Sequence, residues 1–91
     1  IIEAGARVER CILDKQVIVG RDAIVGYGDD LTPNKKEPGN LASGITIIGK
    51  GAQIPAGTRI GRNCRIDADV RQEHFDGQEV VSGETISPVK A

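Results

Sequence analysis

A branched aliphatic residue returns every sixth position through two blocks of this chain. Leu13, Val19 and Val25 hold the place in the first block, and Ile48, Ile54, Ile60 and Ile66 in the second. A helix repeats its apolar face every three to four residues and a simple strand every two. A period of six is a multiple of two, which suits short strands broken by corners at a fixed interval. Laid out in hexads, position one is aliphatic and position two is Gly, Asp or Pro. Position five is small or β-branched: Val17, Ala23, Ala52, Thr58, Cys64 and Val70. Positions five and one of consecutive hexads lie two apart on a strand, so both point the same way, inward, and the position between them points outward. Positions two to four hold the corner, where Gly, Pro, Asn and Asp supply unusual backbone angles. Three such sides per turn predict a triangular coil, the parallel β-helix of which hexapeptide repeats are a signature. The first hexads are looser, with Arg7 at position one and Cys11 at position five.

Composition supports a repeat architecture over a sandwich. The 91 residues make one small domain, 1–91, with one Phe, one Tyr, no Trp and 12 Gly. Aromatic side chains normally dominate a compact core, and here Ile and Val take their place, both strand formers. The net charge of −1 comes from interspersed charges, which argues against nucleic acid as a partner, since that would want a basic stripe. No apolar run is long enough for a membrane helix, and no signal peptide is visible. Two cysteines are too few for a disulfide scaffold. Cys11 and Cys64 both fall at the inward fifth position and read as buried structural thiols; a disulfide or metal site is the sharper alternative, with no nearby partners in sequence. A cytoplasmic protein is expected. The chain opens at Ile1, not Met, which reads as a fragment.

Residues 27–43, "YGDDLTPNKKEPGNLAS", break the period with the composition of a loop. Such an insertion leaves a β-helix at a corner and carries function or is tolerated as surface. After Val70 the repeat is lost. Residues 71–91 are expected to cap the open end of the coil, with a turn at Asp76-Gly77, a short strand near Val80-Val81, and Phe75 and the Val80 to Ile86 region as cover. The outward column reads Ile12, Ile18, Ile24 early and Gln53, Arg59, Arg65 late. Apolar outward residues predict that the early turns contact a partner surface.

No catalytic constellation stands out. His74 is the only histidine and lies outside the repeats, which disfavours a zinc enzyme with several His ligands and weakens a hexapeptide acyltransferase with a histidine base. Asp67 and Asp69 read as turn residues, and no catalytic or metal-ligating residue is assigned. Cations are better candidates: Arg7, Arg10, Lys15 and Arg21 in the first turns and Lys50 after the loop. With about eighteen residues per turn, Lys15 and Lys50 approach each other across the coil, and a pair of cations can hold a phosphorylated metabolite; solvated surface lysines are the plain alternative.

At these residues the chain resembles the carboxy-terminal domain of the ADP-glucose pyrophosphorylase (glucose-1-phosphate adenylyltransferase) family. "RVERCILDKQVIVGRDAIV", Arg7 to Val25, is similar to the family's I-x-R-A-I-I-D-K-N-x-x-I-G segment. "SGITIIGKGAQIPAGTRI", Ser43 to Ile60, is similar to its S-G-I-V-x-V-x-K-x-A-x-I-P-x-G segment. The loop between them matches in placement. Gln16 departs from the family's Asn, and the chain runs on past Ile60 where many members stop. The resemblance implies an all-β, left-handed parallel β-helix behind an absent amino-terminal nucleotidyltransferase domain. That domain would join ATP and glucose 1-phosphate into ADP-glucose and pyrophosphate, with magnesium, for glycogen or starch synthesis; the fragment itself would hold no cofactor. The resemblance further implies homo-oligomers, usually tetramers, and a phosphorylated effector bound at lysines matching Lys15 and Lys50. A mannose-1-phosphate guanylyltransferase, a non-catalytic regulatory paralogue and a purely structural β-helix remain the alternatives beside the acyltransferase.

Overall fold

The computed structural model describes residues 1–75 and 77–88. Asp76 of the expected Asp76-Gly77 turn and the last three residues of the expected cap lie outside this range. Ten short strands follow in order: β1 Arg7–Val8, β2 Cys11–Leu13, β3 Ile18–Val19, β4 Ile24–Val25, β5 Thr46–Ile48, β6 Gln53–Ile54, β7 Arg59–Ile60, β8 Arg65–Ile66, β9 Glu79–Val80 and β10 Thr85–Ile86. One 3₁₀ turn, Gln72–His74, is the sole helical element among the described residues. Every strand pair is parallel. The strands sort into three sheets, β1-β4-β7-β9, β2-β5-β8-β10 and β3-β6, the last extended by a bridge from Ile2 to Val19. Successive strands visit the three sheets in turn, which makes the chain a parallel β-helix with three faces.

The inward columns fall where the period puts them. Position-one residues Val19, Val25, Ile48, Ile54, Ile60 and Ile66 and all six position-five residues are buried. They stack in files through the strand registers, such as Val8–Val25–Ile60–Val80 and Leu13–Ile48–Ile66–Ile86. Each large aliphatic stabilises by about 1.5–3 kcal/mol on burial. The first hexad differs from expectation. Register pairs Val8 with Val25 and Arg7 with Ile24, so Val8 takes the inward place and Arg7 points out. The corner that follows is one residue short, and Arg10 makes it with φ 46°.

Within the complete hexads one corner column supplies the left-handed backbone angles. All six position-four residues, Gln16, Asp22, Gly51, Gly57, Asn63 and Asp69, have φ between 57° and 75°. The position-two glycines serve a different need. A Cβ on Gly49 would lie 2.5 Å from the backbone nitrogen of Ala68, and one on Gly20 2.6 Å from that of Ala56. Rungs about 4.8 Å apart leave no room there for a side chain.

The insertion is looped out without disturbing the coil. Cys11, Ile12 and Leu13 pair with Thr46, Ile47 and Ile48, 35 positions on, which is one 18-residue turn plus the 17 residues of 27–43. Beyond Val70 the hexads lapse and then resume, contrary to the sequence expectation: β9 pairs with β7 and β10 with β8, 20 positions apart, and between Val80 and Ile86 the position-four place falls to Gly83 with φ 87°. These residues therefore add a further rung to two faces. On the third face the chain turns through Gln72–His74, and Phe75 packs against the core. The three outward isoleucines do not share a surface: Ile12 is on β2, Ile18 on β3 and Ile24 on β4, one on each face. A period of six advances one face per hexad, so a column read along the sequence winds around the coil.

The two glycine roles separate under mutation. Gly49→Ala forces rungs apart and should cost about 1–3 kcal/mol, while Gly57→Ala, with nothing within 4 Å of its Cβ, carries only the left-handed penalty of about 1 kcal/mol. Urea unfolding of the two variants checks the order, and equal midpoints would refute the rung-clearance argument.

Candidate functional site

Lys15 and Lys50 occupy the same corner on adjacent rungs. Leu13 pairs with Ile48, and two residues later the Gly51 N–H donates to the Lys15 carbonyl at 3.0 Å. One rung further, the Asp69 N–H donates to the Lys50 carbonyl at 3.0 Å. The lysines are 35 positions apart in sequence and neighbours in space because residues 27–43 are looped out. Both side chains are exposed, and neither forms an ion pair among the described residues.

The surroundings of the pair are mixed in charge. Asp14, Asp67 and Asp69 share the corner. Asp14 accepts the Lys15 N–H at 2.7 Å. Asp67 is taken by Arg65, whose Nε donates to Oδ1 at 2.8 Å, and a further arm of Arg65 reaches Glu37 at 3.0 Å. The hydrogen bond that Arg65 donates to Asp67 pushes the Arg65 pKa up, so its charge is fixed. Arg71 lies on the adjoining face, and its Nη1 donates to the Gly51 carbonyl at 2.6 Å. Two exposed lysines on backbones one rung apart, with the Arg71 guanidinium bonded at Gly51, can receive an anion that presents several oxygens.

The other sequence candidates separate. Arg7 and Arg21 are exposed on other parts of the coil, and Arg10 pairs with the adjacent Glu9 at 3.4 Å. His74 is not merely solvated: its Nδ1 accepts the Arg71 N–H at 2.9 Å and closes the 3₁₀ turn. Among the described residues no group of three or more His, Cys, Asp or Glu is placed to hold a metal, and no helix is long and apolar enough to cross a membrane.

The polar side chains that organise the insertion are absent from the sequence reading. Asn63 accepts the Gly44 N–H at 2.7 Å and donates to the carbonyls of Leu31 and Thr32 at 3.1 Å. Arg62 donates through Nε to the Gly44 carbonyl at 2.8 Å and through Nη1 to that of Gly28 at 3.1 Å. Both ends of the insertion are thus held by a single corner. The guanidinium of Arg59 lies 5.5 Å from the centre of the Tyr27 ring, a cation–π contact at the same departure point. The one signal in the sequence was Asn63 at position four, where four of the other five hexads carry Gly or Asp.

Cys11 and Cys64 are in one inward file with Thr46 between them. Two rungs put their Cα atoms about 10 Å apart, beyond the span of a disulfide. Cys64 is fully buried and its thiol donates to the Val81 carbonyl at 3.3 Å. Burial pushes both thiols up in pKa. At pH 7.5, iodoacetamide should therefore spare Cys64 in the native protein and modify it only on unfolding, with Cys11 slow but accessible. Mass spectrometry of the labelled chain checks this, and prompt native labelling of Cys64 would contradict it.

Comparison with known proteins finds similarity to one kind of enzyme. Over 89 residues, 98% of the chain, it is 48% identical to a glucose-1-phosphate adenylyltransferase of Thermomicrobium roseum, of which it covers 21%. Over 86 residues, 94% of the chain, it is 31% identical to that of Acetivibrio thermocellus, covering 20%. A third, from Pseudothermotoga lettingae, is 39% identical over 72 residues, 79% of the chain and 17% of the relative. The chain spans about a fifth of the length of these curated relatives and matches their carboxy-terminal part. No family model and no solved structure matches it. The chain is thus related, along nearly its whole length, to the carboxy-terminal part of the glucose-1-phosphate adenylyltransferase family.

Proposed function

We propose that this chain is the non-catalytic regulatory and assembly domain of a cytoplasmic glucose-1-phosphate adenylyltransferase. The parent joins ATP and glucose 1-phosphate into ADP-glucose and pyrophosphate, using magnesium in a separate catalytic domain, and feeds glycogen or starch synthesis. The relatives' shared name supports the activity. The observation that carries the regulatory half is the juxtaposition of Lys15 and Lys50 on adjacent rungs, both without an ion-pair partner among the described residues. A phosphorylated metabolite bridging the two ammonium groups would link consecutive turns of the coil and stabilise that corner.

The test uses the full-length parent. Lys15→Ala and Lys50→Ala should each raise the half-activating concentration of phosphorylated effectors about tenfold, the loss expected for one charge-assisted contact. Pyrophosphate release without effector should change less than about twofold. An unaltered effector response in the double variant would remove the lysines from the site.

The assembly half rests on Ile12 and Ile47, paired in register on one face and 57% and 37% exposed, with Ile45 beside them. On the rungs above, the same face turns polar at Arg65 and Thr85. An apolar centre beside a polar margin is the anatomy of an interface. The patch lies on the turns nearest Ile1, within short reach of a domain tethered there, which raises the effective concentration of that domain. We assign it to the preceding catalytic domain of the same polypeptide. Ile12→Ser combined with Ile47→Ser should leave the coil folded and loosen domain docking, seen as faster protease cleavage between the domains. Unchanged cleavage would move the contact elsewhere.

A further inference from the structure

The insertion makes its bonds further along the coil than its own point of departure. It leaves after β4, but its polar contacts fall on the corner at Arg62-Asn63, on Arg65 through Glu37, and on the last turn. Asn34 is the centre of this arrangement and is fully buried. Its Nδ2 donates to the Asn63 carbonyl at 3.1 Å, to Thr85 Oγ1 at 3.1 Å and to the Glu84 carbonyl at 3.3 Å. Its Oδ1 accepts the N–H groups of Lys36 and Glu37, each at 3.0 Å. Lys35 continues the contact, with its N–H on the Gly83 carbonyl at 2.9 Å and its ammonium paired with Glu84. The fit is close, since a Cβ on Gly83 would lie 2.7 Å from the Pro33 carbonyl oxygen.

The last turn needs this support. Among the described residues β9 and β10 are the terminal strands of their sheets, each paired on one side only and over two residues. Opening the contact by degrees would strand the amide of Asn34 in a dry site with some partners gone, and an unsatisfied buried polar group is costly. Opening it completely gives every group to water. The intermediate steps are therefore disfavoured against the two end states.

We propose that residues 27–43 act as a latch, and that the latch and the last turn, 79–86, open and close as one cooperative unit while the first two turns stay folded. The unit couples whatever touches the exposed Lys35–Asn40 rim of the insertion to the exposure of the β9 and β10 edges, and the coupling is reciprocal.

Native-state hydrogen exchange on the full-length protein, across rising denaturant, tests this. Lys35 N–H, bonded to Gly83, and Leu41 N–H, bonded to Glu37, report the insertion. Gly61 and Asp67, bonded to the carbonyls of Val80 and Ile86, report the last turn, and Ile18 and Ile24 report the early turns. The expected result is one shared opening isotherm for the first four amides and slower, separate exchange for Ile18 and Ile24. In Asn34→Ala, Gly61 and Asp67 should exchange about tenfold or more faster, in step with Leu41. Separate isotherms for insertion and last turn in the unmodified protein would overturn the proposal. So would acceleration confined to 27–43, or spread evenly over all turns, in the variant. If Asn34→Ala does not fold, the unmodified protein still decides.

Discussion

The parallel ladder between rungs governs everything else in this molecule. Because each turn must present its N–H and C=O groups to the turn above at about 4.8 Å, the corners between regular hexads close in the same few residues. That requirement fixes the period of six. It also restricts the corners in two separate ways. Position four must take a left-handed backbone, which Gln16, Asp22, Asn63 and Asp69 do without being glycine. At Gly20, Gly49 and Gly61 in position two the next rung passes too close for a side chain, while Asp14 and Asp67 hold the same place with theirs. Ile and Val fill the interior that results, and the partly buried Phe75 packs against it.

The sequence makes the coil readable because its constraint is local and repeated. Every inward residue of the regular hexads can be named from spacing, and Val17, Ala23, Ala52, Thr58, Cys64 and Val70 are all buried. Reading fails where the constraint comes from a neighbouring turn. Arg7 and Val8 differ by one position, and only pairing with Ile24 and Val25 decides which points inward. The last turn carries one hexad interval, Val80 to Ile86 with Gly83 at position four, but the fourteen positions from Ile66 to Val80 are off the period, so only the ladder shows where it resumes. The outward isoleucines look like one column on paper and lie on three faces in space, while Ile12 finds Ile47 across the insertion.

The candidate site divides the same way. That Lys15 and Lys50 approach each other follows from the turn length once residues 27–43 are set aside. Their environment does not follow, because Asp67 is occupied by Arg65 and Arg65 by Glu37, a residue of the insertion. Asn34 was invisible for a different reason: an asparagine between Pro33 and Lys35 in a polar stretch has every mark of a surface turn. Nothing local announces that a turn some fifty residues later supplies its acceptors, at Glu84 and Thr85.

A β-helix transmits little sideways. Each rung touches only its neighbours, so stability and motion in a plain solenoid are close to one-dimensional. The insertion breaks that rule here. Through Asn34 and Lys35 it joins the second turn's exit to the fourth turn's strands, and through Glu37 and Arg65 it reaches Asp67 at the lysine corner. A loop that bonds to several rungs at once converts a stack of weakly coupled turns into a body with longer-range coupling. The lysine corner, the last turn and the insertion are then linked by hydrogen bonds and ion pairs across the file order of the coil. In a fold whose ladder permits so little variation, a looped-out segment is the place where such coupling can be added without disturbing a single rung.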